Sequence, residues 1–198
     1  MEPAKISYKI YQGSTFTESL RWESETKAYA PISAITQAAP CVITTTSAHT
    51  VPINWRVRVT GAIGMKDINT IADDGYYLVT SKTTNTVTLN QVNSAAYAAY
   101  TGSGILSWNL PVPLTGYTAQ MQIRETLEST TVIAELTTAN GRIFIDSVNS
   151  VISINLPATL TATFNFDSAV YSMELTDAQS NVFQFVNGSI SLIKEVTR

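Results

Sequence analysis

The chain has 198 residues, a formal net charge of -3 and only 14% charged residues, well below the roughly 25% of an ordinary soluble domain. It contains no basic run that could neutralise phosphates, which argues against nucleic-acid binding, and no apolar stretch approaches the roughly 20 residues of a membrane span. A single cysteine, Cys41, and a single histidine, His49, are too few for a disulfide or a structural zinc site.

The composition favours β-structure. The chain has 28 threonines, and this β-branched residue suits a pleated sheet better than a helix. Because charges are scarce, Ser, Thr, Asn and Gln must form most of the polar surface. The N-terminal segment Met1–Lys5 lacks the apolar region of a signal peptide, so we expect the protein to stay in the cytoplasm after synthesis. We also expect it to bind no cofactor.

The N-terminal third begins with alternating residues. Ile6, Tyr8 and Ile10 alternate with polar neighbours, a break follows at Gln12-Gly13, and a second alternation begins at Phe16. This pattern predicts a hairpin-like pair of strands. From about Thr26 to Ala39 the pattern dissolves into small residues and Pro31, with Pro40 beyond, which indicates a crossing between domains.

The middle of the chain reads as a small β-barrel or sandwich. Two valines and two arginines alternate in Arg56-Val57-Arg58-Val59, and the Val face should point inward. A second crossing follows at Leu110–Pro113, because residues before proline avoid the helical region. The predicted strands are Val42–Thr46, Arg56–Thr60, Tyr76–Thr80, Thr86–Asn90 and Ile105–Trp108.

The C-terminal part should contain a series of strands and one helix. Asn140-Gly141 predicts a hairpin turn, Pro157 opens a helix from Ala158 to Phe164, and Asn187-Gly188 is read as a second turn. The predicted strands are Tyr117–Ile123, Val132–Leu136, Arg142–Asp146, Val151–Leu156, Ala169–Thr176, Asn181–Val186 and Ser189–Val196, the last three forming an antiparallel meander.

These elements predict one domain interrupted by another. The first two strands are too few to bury a core alone, so they should join the C-terminal part in an outer domain of residues 1–30 and 110–198. Residues 31–109 then form an inserted small β-domain. The predicted fold class is all-β, an antiparallel β-sandwich with one short helix, interrupted by a small β-barrel or sandwich.

The outer part resembles small tail and baseplate-associated proteins of tailed bacteriophages, including the N-terminal module of baseplate proteins that carry receptor binders. The resemblance covers residues 6–24 and 113–198. It rests on Gln12-Gly13, Thr15-Phe16, Leu114-Thr115-Gly116-Tyr117, Arg124, Leu156, Thr161, Tyr171, Leu175, Gly188 and Val196-Thr197-Arg198.

The middle part is similar to a β-module that recurs in phage tail proteins and is named for a domain of ubiquitin-activating enzymes. The matching residues include Ile35-Thr36, Pro40, Val42, Thr44-Thr45, Ala48-His49, Val57, Val59, Gly61, Gly64-Met65, Ile68-Asn69 and Val87-Thr88-Leu89. Thr50, Asn54 and Thr70 depart from its glycine pattern, and the resemblance implies no ubiquitin chemistry.

The sequence offers few candidates for chemistry. His49 could pair with Cys41, yet no third group orients such a pair, and a turn-structuring role is the favoured interpretation. Asp73-Asp74-Gly75 could be a metal loop or a carboxylate pair, and a turn before Tyr76 is the simpler explanation. We therefore expect a protein that is not an enzyme.

Three aromatic residues, Tyr97, Tyr100 and Trp108, are candidate interaction residues. They could form a platform for a sugar, or they could pack in a core or interface. The leading hypothesis is a virion structural or adaptor protein of a tailed phage, located in the tail, baseplate or neck and forming homo-oligomers. The segments Met1–Lys5 and Lys194–Arg198 are candidate contact elements, and the alternative is a host-surface glycan or receptor-binding module that uses the inserted domain.

Overall fold

A computed structural model describes residues 2–71 and 75–195 and shows an all-β protein. The chain divides into two compact units, one formed by residues 1–21 and 113–198 and one formed by residues 22–112. We call them the outer unit and the barrel. One α-helix occurs among the described residues.

The elements follow in chain order. The strands are β1 Ala4–Lys5, β2 Tyr8–Tyr11, β3 Phe16–Arg21, β4 Glu23–Ile35, β5 Cys41–Thr45, β6 Arg56–Thr60, β7 Tyr77–Leu78, β8 Ser81–Lys82, β9 Thr86–Leu89, β10 Ile105–Pro111, β11 Thr118–Arg124, β12 Val132–Thr137, β13 Ile143–Asp146, β14 Val151–Leu156, β15 Ser168–Thr176 and β16 Val182–Ile193, and the helix is α1 Ala158–Thr161.

The outer unit contains two sheets. The larger has the order β1-β16-β15-β11-β12, with β2 also pairing with β16, and the smaller has the order β13-β14-β3. The ring of Tyr8 on β2 contacts that of Phe16 on β3 at 5.3 Å, and it stacks on Tyr171 at 5.1 Å. Alternating residues of both sheets are buried, which is the pattern of a sandwich core.

The barrel is a seven-stranded sheet with the order β7-β6-β10-β4-β5-β9-β8. Its two end strands, β7 and β8, are joined by only Val79 and Thr80, and those residues continue the pairing because Val79 N donates to Trp55 O and Thr80 N donates to Thr88 O. The strand pairs therefore close into a ring. Inside lie Val57 and Val59, both fully buried, which confirms the predicted inward Val face of β6.

The longest strand, β4, occupies most of the segment that the sequence predicts to be a crossing. Its first part pairs with β10 and its last part with β5, and Pro31 lies where the partner changes. At that point the neighbouring Ile32 N donates to Gly104 O, and the missing N–H of Pro31 breaks no ladder. The structural boundaries consequently fall at Arg21/Trp22 and Val112/Pro113 rather than at residues 30/31 and 109/110.

The predicted turn at Asn187-Gly188 is wrong, because both residues lie inside the single strand β16. A Cβ atom at Gly188 would lie 1.9 Å from the carbonyl oxygen of Ile6. The glycine is therefore explained by the close passage of the N-terminal segment. As a result β15 and β16 form a hairpin, not a three-stranded meander.

The predicted N-terminal hairpin is also wrong. β2 pairs in parallel with β16, whereas β3 pairs with β14 in the other sheet. Gly13, with φ +76°, lies in the turn between them, and the chain crosses there from one sheet to the other. The outer unit is therefore antiparallel except at the edge formed by β1 and β2.

The helix α1 is shorter than predicted, since it ends at Thr161 rather than at Phe164. Pro157 precedes it in extended conformation, and Phe164 is buried beyond its end. The buried Thr161 hydroxyl donates to Ser14 O at 2.7 Å, which attaches the helix to the segment between β2 and β3.

Some predictions fall outside the described residues. The acidic pair Asp73-Asp74 and the terminal Val196-Thr197-Arg198 are among them, as is Met1. No described helix combines the length and the apolar character needed to cross a bilayer.

Candidate functional site

A cleft of about 380 Å³ lies on the outer wall of the barrel. Cross-strand register places its residues, because Ser107 on β10 pairs with Arg58 on β6 and Asn109 pairs with Lys27 on β4. Directly paired residues point to the same face of a sheet. The two strands β4 and β6 thus present cationic side chains on either side of Ser107 and Asn109 on β10.

An ion pair forms the fixed part of this cleft. The Arg56 Nε and Nη2 atoms donate to the two carboxylate oxygens of Glu23 at 2.8 and 2.7 Å, the bidentate geometry that makes such pairs strong. Asn109 Nδ2 lies 3.4 Å from Glu23 Oε2. The hydrogen bond to Glu23 is the main cause that raises the pKa of Arg56, so this guanidinium stays charged and its geometry is held.

The cleft also has an aromatic side. Arg56 Cζ lies 5.1 Å from the ring centroid of Tyr76, within the distance of a cation–π contact. The Tyr76 side chain is 47% exposed, and Tyr29, which flanks Ser107 in the register, is 64% exposed. Both rings are thus accessible beside the polar groups.

Charge is unevenly distributed over the two units. By sequence, residues 22–112 carry five Lys or Arg and five Asp or Glu, whereas the outer unit carries seven and ten. Three of the five barrel cations, Lys27, Arg56 and Arg58, line the cleft. Among the described residues the ammonium group of Lys27 has no ion-pair or hydrogen-bond partner, so it is available.

The three aromatic residues singled out in the sequence belong to the barrel core or pack against it. Trp108 is only 5% exposed, although it also lines the cleft. Tyr97 and Tyr100 are partly buried against the core, and Tyr100 Oη lies 2.9 Å from Ile32 O and 2.5 Å from Ser103 O, to one of which it donates. The three residues therefore do not form an exposed platform.

His49 and Cys41 lie in separate hydrogen-bond networks. His49 Nε2 donates to Thr86 O at 3.1 Å, because a carbonyl oxygen only accepts, and burial lowers the pKa of His49. Cys41 is fully buried beside Thr36 O, and burial raises the pKa of its thiol. Both arrangements are those of structural residues. Among the described residues no three His, Cys, Asp or Glu side chains are grouped as metal ligands.

A second surface is the outer face of the larger sheet of the outer unit. Gln120 and Gln122 on β11 both donate to Glu135 Oε1, at 2.8 and 3.0 Å, and Arg124 donates to Gln122 Oε1. Gln120, Gln122 and Arg124 border a recess of about 280 Å³, where Leu127 is 82% exposed. We call this surface the amide face.

The edges of the outer unit differ in how they are protected. On β12, Asn140 Oδ1 accepts from Thr137 N, while Asn140 Nδ2 and Arg142 Nη1 donate to Glu135 O. These side chains occupy backbone groups that a further strand would need. Among the described residues β3 is one of the two end strands of the smaller sheet, β13 being the other.

Part of the predicted N-terminal contact arm is paired within the chain. Ala4 and Lys5 pair in parallel with Val186 and Asn187 of β16, and β1 is an end strand of that sheet. Lys194 and Glu195 follow the end of β16, and the rest of the predicted C-terminal contact element lies outside the described residues.

No family model matches the chain, and a search of curated proteins finds no significant match.

Sequence reasoning missed Glu23, Lys27, Tyr29 and Tyr76 as site residues. The Arg56-Val57-Arg58 alternation did signal a cationic outer face of β6. The contribution of β4 was hidden because its sequence was interpreted as a crossing.

Proposed function

We propose that this chain is a non-enzymatic structural or adaptor protein of a tailed-phage particle, which assembles into the tail, baseplate or neck. The phage assignment is supported by the resemblance of residues 6–24 and 113–198 to tail and baseplate-associated proteins. The observation that carries the binding role is the amide face, an ordered polar surface around a recess.

The amide face suits a contact between protein subunits. Its side chains are already held by hydrogen bonds to one another, for example Gln184 Nε2 to Ser172 Oγ at 3.1 Å. Binding a partner therefore immobilises few additional rotamers, which lowers the entropic cost of association. Exposed Leu127 supplies an apolar anchor next to polar groups, the combination found at protein interfaces.

The end strand β3 offers a second contact. Its outward backbone groups can pair with a strand from a neighbouring subunit. Glu18 on β3 pairs with buried Ile154 and shares its inner face of the sheet. A charged side chain that points inward on an end strand disfavours pairing with unrelated strands. We expect assembly into a homo-oligomer within the particle. Multi-angle light scattering of the purified chain tests that expectation.

The experiment that tests the function is mass spectrometry of purified particles, followed by incorporation of variants. Ser172→Arg places a bulky charge in the recess of the amide face and should reduce incorporation at least tenfold. Ser81→Arg, on the exposed strand β8 of the barrel, is the matched control and should assemble normally. Absence of the chain from purified particles rejects the proposal.

Glycan recognition through Tyr97, Tyr100 and Trp108 is not proposed as a second function, because Trp108 is buried in the barrel core and Tyr97 and Tyr100 pack against that core. Flat rings stack on sugars only when a face is open.

A further inference from the structure

We propose that the cleft on the barrel wall binds an acidic saccharide, that is, a sugar that carries a carboxylate. This site goes beyond the structural role proposed above and does not depend on it. The inference depends on four side chains, namely those of Lys27, Tyr76 and the ion pair formed by Glu23 and Arg56.

The size of the cleft fits a small ligand. Its volume of about 380 Å³ lies in the lower part of the range of roughly 300–1,000 Å³ typical of small-molecule sites. The polar groups come from paired strands rather than from loops, and the side chains of Glu23 and Arg56 hold each other in place before a ligand arrives. Preorganisation of this kind raises affinity by reducing the ordering cost.

Sugar hydroxyl groups need both donors and acceptors. Glu23 has two oxygens with about four acceptor positions, of which Arg56 uses two and Asn109 one. Ser107 and the remaining atoms of the Asn109 amide supply further donors and acceptors. The side chain of Glu23 is 11% exposed, so its carboxylate is positioned by neighbours and not by solvent.

The face of a sugar ring is apolar and needs a flat partner. Tyr76 meets this need because its ring is half exposed and is positioned by the cation–π contact with Arg56. Tyr29 lies beside Ser107 in the register and can contact a second sugar unit.

The carboxylate of the ligand is assigned to Lys27. Among the described residues this ammonium group has no carboxylate partner, although the chain as a whole has a net charge of -3. A charge-assisted hydrogen bond from an ammonium group is roughly twice as strong as a neutral one. A bare anion would satisfy Lys27 but would leave Tyr76 unused, which is why we assign a saccharide.

The test uses the ¹⁵N-labelled full chain with three probes: a galacturonic acid trisaccharide, the neutral galactose trisaccharide, and sodium acetate. We expect the acidic trisaccharide to bind with a Kd of about 0.1–1 mM and to shift the amide signals of Lys27, Tyr76, Ser107 and Asn109. The neutral trisaccharide should bind at least fivefold more weakly, and acetate should produce no saturable shifts at these positions.

Variants test the aromatic contact of Tyr76 and the charge of Lys27 separately. Tyr76→Ala and Lys27→Ala should each weaken binding about tenfold, while Tyr76→Phe and Lys27→Arg, which keep the ring and the charge, should stay within about threefold of the original chain. Tyr11→Ala and Lys82→Ala, exposed positions outside the cleft, are controls and should change nothing.

Several results would overturn the proposal. They are an equal response to acetate, equal binding of both trisaccharides, shifts that map outside the cleft, or no saturable binding of the acidic trisaccharide up to about 10 mM. Because Tyr76 and Lys27 are exposed, the spectra of unliganded variants should match the parent and show that a loss of binding is not a loss of folding.

Discussion

Replacing Gly188 by alanine should detach the N-terminal strands from the outer unit. The new Cβ would lie 1.9 Å from Ile6 O and 2.8 Å from Ile6 C, and backbone atoms cannot rotate away. A displacement of more than an ångström would break the bond from Ile6 N to Asn187 O, now 3.0 Å, and the bonds Tyr171 Oη to Ile6 O and Ser7 to Ser189, both 2.9 Å.

The cost follows from those three hydrogen bonds. Each contributes a net amount of about 0.5–1.5 kcal/mol, and the buried Tyr171 hydroxyl loses its acceptor, so we expect about 3 kcal/mol of destabilisation in total. Alanine at Gly141 is the matched control in the same unit. It has no neighbour within 4 Å but has φ +71°, and only the left-handed backbone penalty of about 1–2 kcal/mol applies.

Two spectroscopic signals separate the units. All three tryptophans lie in residues 22–112, so tryptophan fluorescence follows the barrel, while far-UV circular dichroism follows both units. In urea, Gly188→Ala should move the dichroism transition further than the fluorescence transition, and hydrogen exchange at Ile6 should accelerate. If Gly188→Ala is as stable as the parent, or no less stable than Gly141→Ala, the close-passage explanation is refuted.

Three further predictions concern other parts of the chain. Burial lowers the pKa of His49 below its ordinary 6.5, so the barrel should lose stability as the pH falls below about 6.5. When the pH is lowered from about 7.5 to about 5, the urea midpoint followed by tryptophan fluorescence should decrease more in the parent than in His49→Gln. Equal decreases would contradict this role of His49. Thr161→Val removes the donor to Ser14 O and should destabilise the outer unit by about 1–3 kcal/mol in urea titrations followed by dichroism, whereas Thr163→Val on the exposed side should cost little. Limited proteolysis should spare the paired segment Glu23–Ile35, and an early cut there, read by mass spectrometry, would show that this strand is not stably paired.

The strands that the sequence predicted well are those in which successive residues differ strongly in polarity. Arg56–Thr60 and Val151–Leu156 have the predicted bounds, because a buried β-branched or aliphatic residue alternates there with a polar one. Burial on one face fixes both the period and the register.

The strand β4 was missed because its successive residues differ little in hydrophobicity. Its sequence is rich in Ala, Ser and Thr and includes Pro31, so neither hydrophobic alternation nor a proline-free run was present. Only the pairing with β10 and β5 defines this strand, and such long-range partners leave no local signature. Lys27 and Tyr29 of the candidate cleft were overlooked for the same reason.

The error at Asn187-Gly188 has a different origin. An Asn-Gly pair favours a tight turn through the backbone freedom of glycine, but here the glycine is needed for its missing side chain. The two uses cannot be distinguished locally, because the reason lies in Ile6, far away in the sequence. Asn140-Gly141 does lie in a turn, with positive φ at Gly141, but the predicted hairpin is wrong, because β12 and β13, which flank the turn, belong to different sheets.

The ends of the barrel segment lie side by side, since Val112 N donates to Trp22 O at 3.0 Å. A segment whose first and last residues meet can be removed and replaced by a few residues without stretching the chain that remains. The barrel is thus built as a replaceable insertion: one recombination event could add it to a gene that encodes the outer unit, remove it or exchange it, without altering the sequence of the outer unit.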